Sequence, residues 1–145
     1  MDRIDREIVS LLAQDGRISF RDLGEAVHLS ANAAAERFRR LQAAGIIRRI
    51  VAEIDPTASG RPLQAQLEVK LAAGTPALAF ETALRHLPQV LSAILMTGSF
   101  DYAVRVACTD REDLMQLTET LRRTAGVSET YTRLILRELE LGVMR

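Results

Sequence analysis

Tryptophan is absent from this sequence, lysine occurs once, at Lys70, and cysteine once, at Cys108. A single cysteine excludes an internal disulfide and a cysteine-built zinc site. Cys108, within "VRVACT", reads as a small buried hydrophobe. The two histidines, His28 and His86, lie far apart with no patterned carboxylate between them, so no metal site is expected. No Ser/His/Asp set, phosphate loop or paired-carboxylate pattern stands out. No apolar run approaches the roughly 18 residues that span a bilayer, and the start, "MDRIDREIVS", has no apolar signal core. The expectation is a soluble cytoplasmic protein with no membrane partner, no metal and no cofactor. Net charge is missing too, because 19 basic residues balance 19 acidic ones. That excludes a uniformly basic coat for nucleic acid, so any anion-binding role must come from local patterning.

What is there is an ordinary globular composition: 145 residues, 48% hydrophobic and 26% charged. The length allows one domain of normal size or two small ones, and small domains gain from oligomerisation. In the first third, Ile4, Ile8, Leu11 and Leu12 recur at helical spacing until "QDGR" breaks the pattern. "SFRD", residues 19–22, is a capping-box-like start ahead of Leu23 and Val27. Ser30 can cap a third helix that Gly45 stops. Three short helices with such brief connections fit a helix-turn-helix unit whose turn is "VHLS". "IIRRIVAEID", residues 46–55, is β-branched enough to predict a strand, which would make the unit winged. Pro, Ser and Gly then crowd into "DPTASGRP". The expected organisation is a helix-turn-helix domain over 1–52, a linker over 53–62 and a second domain over 63–145.

The second part changes period. Leu63, Ala65, Leu67, Val69 and Leu71 alternate with polar residues, which predicts a strand with one buried face. "TPALAFETALRHLP" predicts a helix with Thr75 as cap and Pro76 at its first position. "QVLSAILMTGSFDYAVRVACT" predicts two strands joined by a turn at residues 98–101. A helix capped at Asp110 and a last strand, "VSETYTRLILREL", complete the order β-α-β-β-α-β. The fold class is therefore α+β, a helix-turn-helix domain followed by a ferredoxin-like domain.

Charge concentrates in one place. Between Ser30 and Arg49 stand five arginines, Arg37, Arg39, Arg40, Arg48 and Arg49, against the single acid Glu36. On a helical wheel Ala34, Phe38 and Leu41 share the inward face, and Asn32, Ala33, Glu36, Arg37 and Arg40 gather opposite, with Arg39 to one side. Small residues at the helix start let the backbone approach a major groove, where Asn pairs with adenine. Arginines then take phosphates or guanines, and the helix N-terminus itself attracts a phosphate. An isolated arginine cluster is usually a solvated face; within a three-helix unit with these turns, double-stranded DNA is the favoured partner.

"LDxxD"-like Ile4-Asp5, "DGRIS" at residues 15–19 and "LS…ERxRRL…GxI" over residues 29–47 together resemble the DNA-binding domain of the Lrp/AsnC family of regulators. Where that family usually has Ser-Pro at the head of the recognition helix, this chain has Ser30-Ala31. The resemblance implies DNA contacts from Ser19, Ser30, Asn32, Ala33, Arg37, Arg39, Arg40 and Arg48. "TGSFDY", residues 97–102, resembles the ligand turn of the same family, and "GVSETYT" its Gly-Val-x-x-Thr-x-Thr. This implies an amino-acid effector site of Gly98, Ser99, Phe100, Asp101, Tyr102, Thr130 and Thr132. In it Asp101 holds an ammonium, and N–H groups near Gly98 and Ser99 take a carboxylate. It also implies homodimers that assemble into higher oligomers. By residues alone, a plain hairpin is the favoured reading of the turn, and ordinary strand formers that of each threonine. Two rivals remain: a siroheme decarboxylase-like enzyme, suggested by "GIIRRI", and an architectural DNA-binding protein without an effector.

Overall fold

The computed structural model describes residues 1–139. It divides into two compact units, Met1–Glu53 and Ile54–Leu139. The part of the second expected domain that covers residues 140–145 lies outside the described residues.

The first unit is three helices, α1 (Arg3–Gln14), α2 (Phe20–Ala26) and α3 (Ala31–Ala43). Each start is capped as an orphaned first turn requires. The Asp2 carboxylate accepts from the Asp5 N–H at 2.8 Å, and the Asp5 carboxylate accepts from the Asp2 N–H at 3.2 Å. Ser19 accepts from Asp22 N–H at 3.1 Å and donates to the Asp22 carboxylate at 2.7 Å. Ser30 accepts from Ala33 N–H at 3.2 Å. Ile8, Leu23, Val27, Ala34 and Leu41 form the core. Between α2 and α3 the chain doubles back through His28, held at φ 57, to the Leu29 N–H bonded to Gly24 O at 2.8 Å.

The strand expected at residues 46–55 does not form. The segment finds no strand to pair with, since the sheet of the described residues is made of β-strands from the second unit alone, and unpaired backbone gains nothing from β geometry. Ile50 packs toward Gly16, while Val51 and Ile54 are exposed. Arg48 and Arg49 therefore sit on an exposed, irregular stretch rather than on a wing.

The second unit carries β1 (Leu63–Leu71), α4 (Ala77–Leu84), β2 (Val90–Leu95), β3 (Tyr102–Cys108), α5 (Arg111–Thr124) and β4 (Val127–Leu134). The sheet order is β2-β3-β1-β4, all antiparallel, which is the ferredoxin-like arrangement. Alternation puts Ala65, Leu67 and Val69 with Tyr102, Val104, Val106 and Cys108 on the face that the helices cover. Phe80, Leu84, Leu114, Leu117 and Leu121 close that core. Thr75 does not cap α4. Pro76 occupies the cap position without a side-chain bond, and the Thr75 hydroxyl donates instead to Gly126 O at 3.2 Å. Among the described residues no helix is long and apolar enough to cross a membrane.

Candidate nucleic-acid interface

The outward face of α3 is built by what its inward face buries. Ala34, Ala35 and Leu41 are buried and Phe38 packs on Phe20 with ring centroids 5.4 Å apart. That leaves Asn32, Glu36, Arg39 and Arg40 exposed, with Ala33 half-buried near the start. Arg39 is paired with Glu36 at 2.5 Å, one helical turn back, and both side chains are about two-thirds exposed. Such an exposed pair is worth little in water and yields readily to a phosphate. Ser19 and Ser30 each mark an exposed, serine-capped helix start.

Arg37 does not join this face. Its Nη1 donates to Asp2 Oδ2 at 2.6 Å and to Asp5 Oδ1 at 2.7 Å, against α1. The reason lies in helical spacing: Arg37 is three residues after Ala34 and four before Leu41, both buried, so it flanks the packed stripe. Asp5 is the one buried charged residue among those described. Arg37 holds both carboxyls below the ordinary aspartate range, and the two aspartates push the guanidinium upward in turn.

Gly24 is a further requirement of this unit that sequence spacing alone did not single out. A Cβ there would lie 2.7 Å from Leu29 O and 3.1 Å from both Ser30 C and Ser30 O. The turn that presents α3 can approach α2 only because that side chain is missing. The signal in the sequence is a glycine inside a seven-residue helix, where propensity argues against it.

In the second unit, the turn after β2 holds Gly98 at φ 123, with open space around it. Thr97, Gly98 and Ser99 are exposed and Phe100 is half-buried. Asp101 is tied across the sheet: its N–H donates to Val69 O at 2.8 Å and its Oδ2 accepts from Leu71 N–H at 2.7 Å. The ladder between β1 and β3 ends at Val69 and Tyr102, so the Leu71 N–H, two residues on and directed to the same side, is left for the carboxylate. Among the described residues, Asp101 Oδ1 and the N–H groups of Gly98 and Ser99 have no hydrogen-bond partner.

Tyr102 departs from its expected place. It is buried against Phe80, with ring centroids 4.8 Å apart, and its hydroxyl donates to Glu81 at 2.7 Å. Burial first, and then Glu81, push its phenol up to about 12. The physical reason is strand alternation: Tyr102 opposes Val69, which faces the core. Thr130 opposes Val69 from the other side, so Tyr102 and Thr130 lie in one row, two strand spacings or about 10 Å apart. The Thr130 hydroxyl accepts from Arg122 at 2.9 Å, and Thr132 is exposed one row further along.

Residues 1–42 match the model of an AsnC-type helix-turn-helix domain, and residues 64–142 that of an Lrp/AsnC ligand binding domain. The chain belongs to the Lrp/AsnC family. It is 35% identical to the leucine-responsive regulatory protein of Escherichia coli, over 97% of this chain and 87% of that protein. It is 36% identical to the regulator AldR of Mycobacterium tuberculosis, over 96% and 79%. Among solved structures, the leucine response regulatory protein of M. tuberculosis superposes with a TM-score of 0.88 at 29% identity, covering 100% of this chain and 99% of that one. The Neisseria meningitidis regulator in complex with L-Met superposes with a TM-score of 0.87 at 29% identity, covering 98% and 94%.

As an Lrp/AsnC member the chain is a DNA-binding transcriptional regulator with a ligand-binding domain. The decarboxylase rival finds no support among these relatives, which are named as regulators. Of the eight residues expected at DNA, the fold brings Ser30, Asn32, Ala33, Arg39 and Arg40 onto one helix surface. Ser19 stands at the head of α2, Arg48 on the exposed stretch beyond α3, and Arg37 against α1.

Proposed function

We propose that this regulator reads double-stranded DNA with the outward face of α3, and that a small amino acid at the turn over residues 98–101 biases its assembly and hence its DNA affinity. The observation that carries the first half is the exposed set Asn32, Arg39 and Arg40 behind the Ser30 cap. Asn32 suits an adenine edge, Arg40 a guanine or phosphate, and Arg39 exchanges Glu36 for a phosphate. Ser19, Ser30, Ala33 and Arg48 complete the footprint, with Ser19 and Ser30 at backbone phosphates. Paired protomers would address half-sites about one helical turn apart, or a multiple of it.

The second half rests on complementarity. A free α-amino acid presents an ammonium and a carboxylate. Asp101 Oδ1 is an open acceptor for the first, and the Gly98 and Ser99 N–H groups are open donors for the second. Thr130 and Thr132 lie toward the same end of the sheet, Thr130 in the row of Tyr102. The L-Met complex of the Neisseria regulator supports this class of ligand. The open sheet face, away from α4 and α5, is offered as the surface that pairs protomers into dimers, and dimers into larger assemblies. Effector and DNA are then coupled because the ligand binds two assembly states unequally.

A thermal-stability screen against the twenty amino acids tests the effector, since a ligand raises apparent stability by mass action. One or a few small amino acids should raise the melting temperature in wild type and not in Asp101→Ala, with DNA binding in the absence of effector retained. No shift with any amino acid, alongside intact specific DNA binding, would leave an architectural DNA-binding protein.

A further inference from the structure

Arg37 lies on the helix that the proposed function turns toward DNA, yet its guanidinium is spent on two aspartates of α1. Its side chain is 23% exposed, and that of Asp5 is 6% exposed. A phosphate that captured Arg37 would have to strip it from two carboxylates and strand the Asp5 charge in the unit's interior, which is costly. The two aspartates are themselves locked together by the reciprocal cap of α1. Cap and guanidinium thus form one fixture that joins the first turn of α1 to the middle of α3. It grips α3 five residues beyond Asn32, or about 7.5 Å along the helix axis.

We infer that Arg37 is a positioning residue for DNA binding, acting through Asp2 and Asp5 rather than by touching the duplex. Base-edge contacts tolerate errors of only about 0.5 Å, so an element that sets the pitch of α3 controls specificity without meeting a base. The first turn of α1 is then part of the recognition apparatus, although the two aspartates that act in it carry the sign that the polyanion repels. This inference rests on the DNA-facing assignment of α3.

The sign of one effect separates positioning from plain electrostatics. Asp2→Asn with Asp5→Asn removes two negative charges per protomer while keeping side chains that can still cap α1. Charge alone would tighten DNA binding; positioning makes it weaker for a specific duplex. The probes are a duplex selected by the wild-type chain from a random-sequence pool, and poly(dI-dC) as non-specific DNA. Both are titrated by fluorescence anisotropy from about 50 to 200 mM salt. Arg37→Gln is expected to lower specific affinity about tenfold, leave poly(dI-dC) affinity unchanged, and leave the salt slope unchanged. The double aspartate variant is expected to lose a similar factor, and the triple variant no more than the larger single loss, because the groups act as a unit. A variant that melts below the assay temperature is replaced by Arg37→Lys, which keeps the charge but lacks the fork that grips two carboxylates.

A fall of about 0.9 in the salt slope per protomer for Arg37→Gln would make Arg37 a phosphate contact and overturn the inference. Tighter specific binding by the double aspartate variant would overturn it equally, as would wild-type affinity in Arg37→Gln. Arg40→Ala is measured beside them. If its slope is unchanged, the DNA-facing assignment of α3 itself fails; if its slope falls and only the Arg37 results miss, the positioning role alone fails.

Discussion

Replacing Gly24 with alanine sets two effects of opposite sign against each other. In an open helix interior, alanine is more favourable than glycine by about 1 kcal/mol. Here the added Cβ meets Leu29 O at 2.7 Å and Ser30 C and Ser30 O at 3.1 Å. All three are backbone atoms, so no side-chain rotation relieves the overlap, and α3 must move away from α2. Overpacking of this kind costs roughly 1–3 kcal/mol. Because three backbone atoms are met at once, the cost belongs in the upper half of that range, and after the helix-propensity gain the net expectation is a loss of about 1–2 kcal/mol. Urea unfolding of the full chain, followed by circular dichroism at fixed pH and salt, measures it. Specific DNA affinity should fall as well, because the displaced atoms lead straight into the Ser30 cap of α3. A variant as stable as wild type, or more stable by the full helix-propensity gain, would refute the close approach described for this turn.

Two further outcomes concern pH. The raised Tyr102 phenol contributes stability that is whole below its unfolded value near 10 and is lost as pH rises through about 12. Tyr102→Phe should flatten that alkaline decline, read as the unfolding midpoint against pH; an unchanged profile would mean that Tyr102 ionises freely. Asp2 and Asp5 have lowered carboxyls, so their stabilisation is present above the ordinary aspartate range and lost as pH falls below it. Asp5→Asn should remove part of the acid sensitivity of the first unit, and a full wild-type acid transition in that variant would contradict the pairing.

Caps, periods and breaks were readable in the sequence because they are local. Ser19, Ser30 and Asp110 stand where their helices begin, and the β-α-β-β-α-β order follows from alternation and glycine placement. What was not legible depends on partners far along the chain. Arg37 reads as outward on a wheel, since nothing local announces that Asp2 and Asp5 wait 35 and 32 residues away. Tyr102 reads as a ligand group until the pairing with Val69 turns it into the core. The segment over residues 46–55 has strand propensity, but propensity makes no strand without a neighbour to pair with. Asp101 was legible as a polar turn residue, whereas its bond to Leu71 N–H depends on β1, 30 residues earlier, running past the point where β3 begins.

Placing a DNA-cleaving iron chelate on the outward face of α3 tests its meeting with the duplex most directly. Cys108 is fully buried, so a new thiol from Asn32→Cys can be labelled selectively, and Glu119→Cys on the exposed face of α5 serves as the comparison. The expected result is cleavage from position 32 in paired clusters about one helical turn apart, or a multiple of it, and none from position 119. Cleavage from position 119 alone, or from neither on a duplex that the labelled protein demonstrably binds, would contradict the reading of α3 as the element that meets DNA.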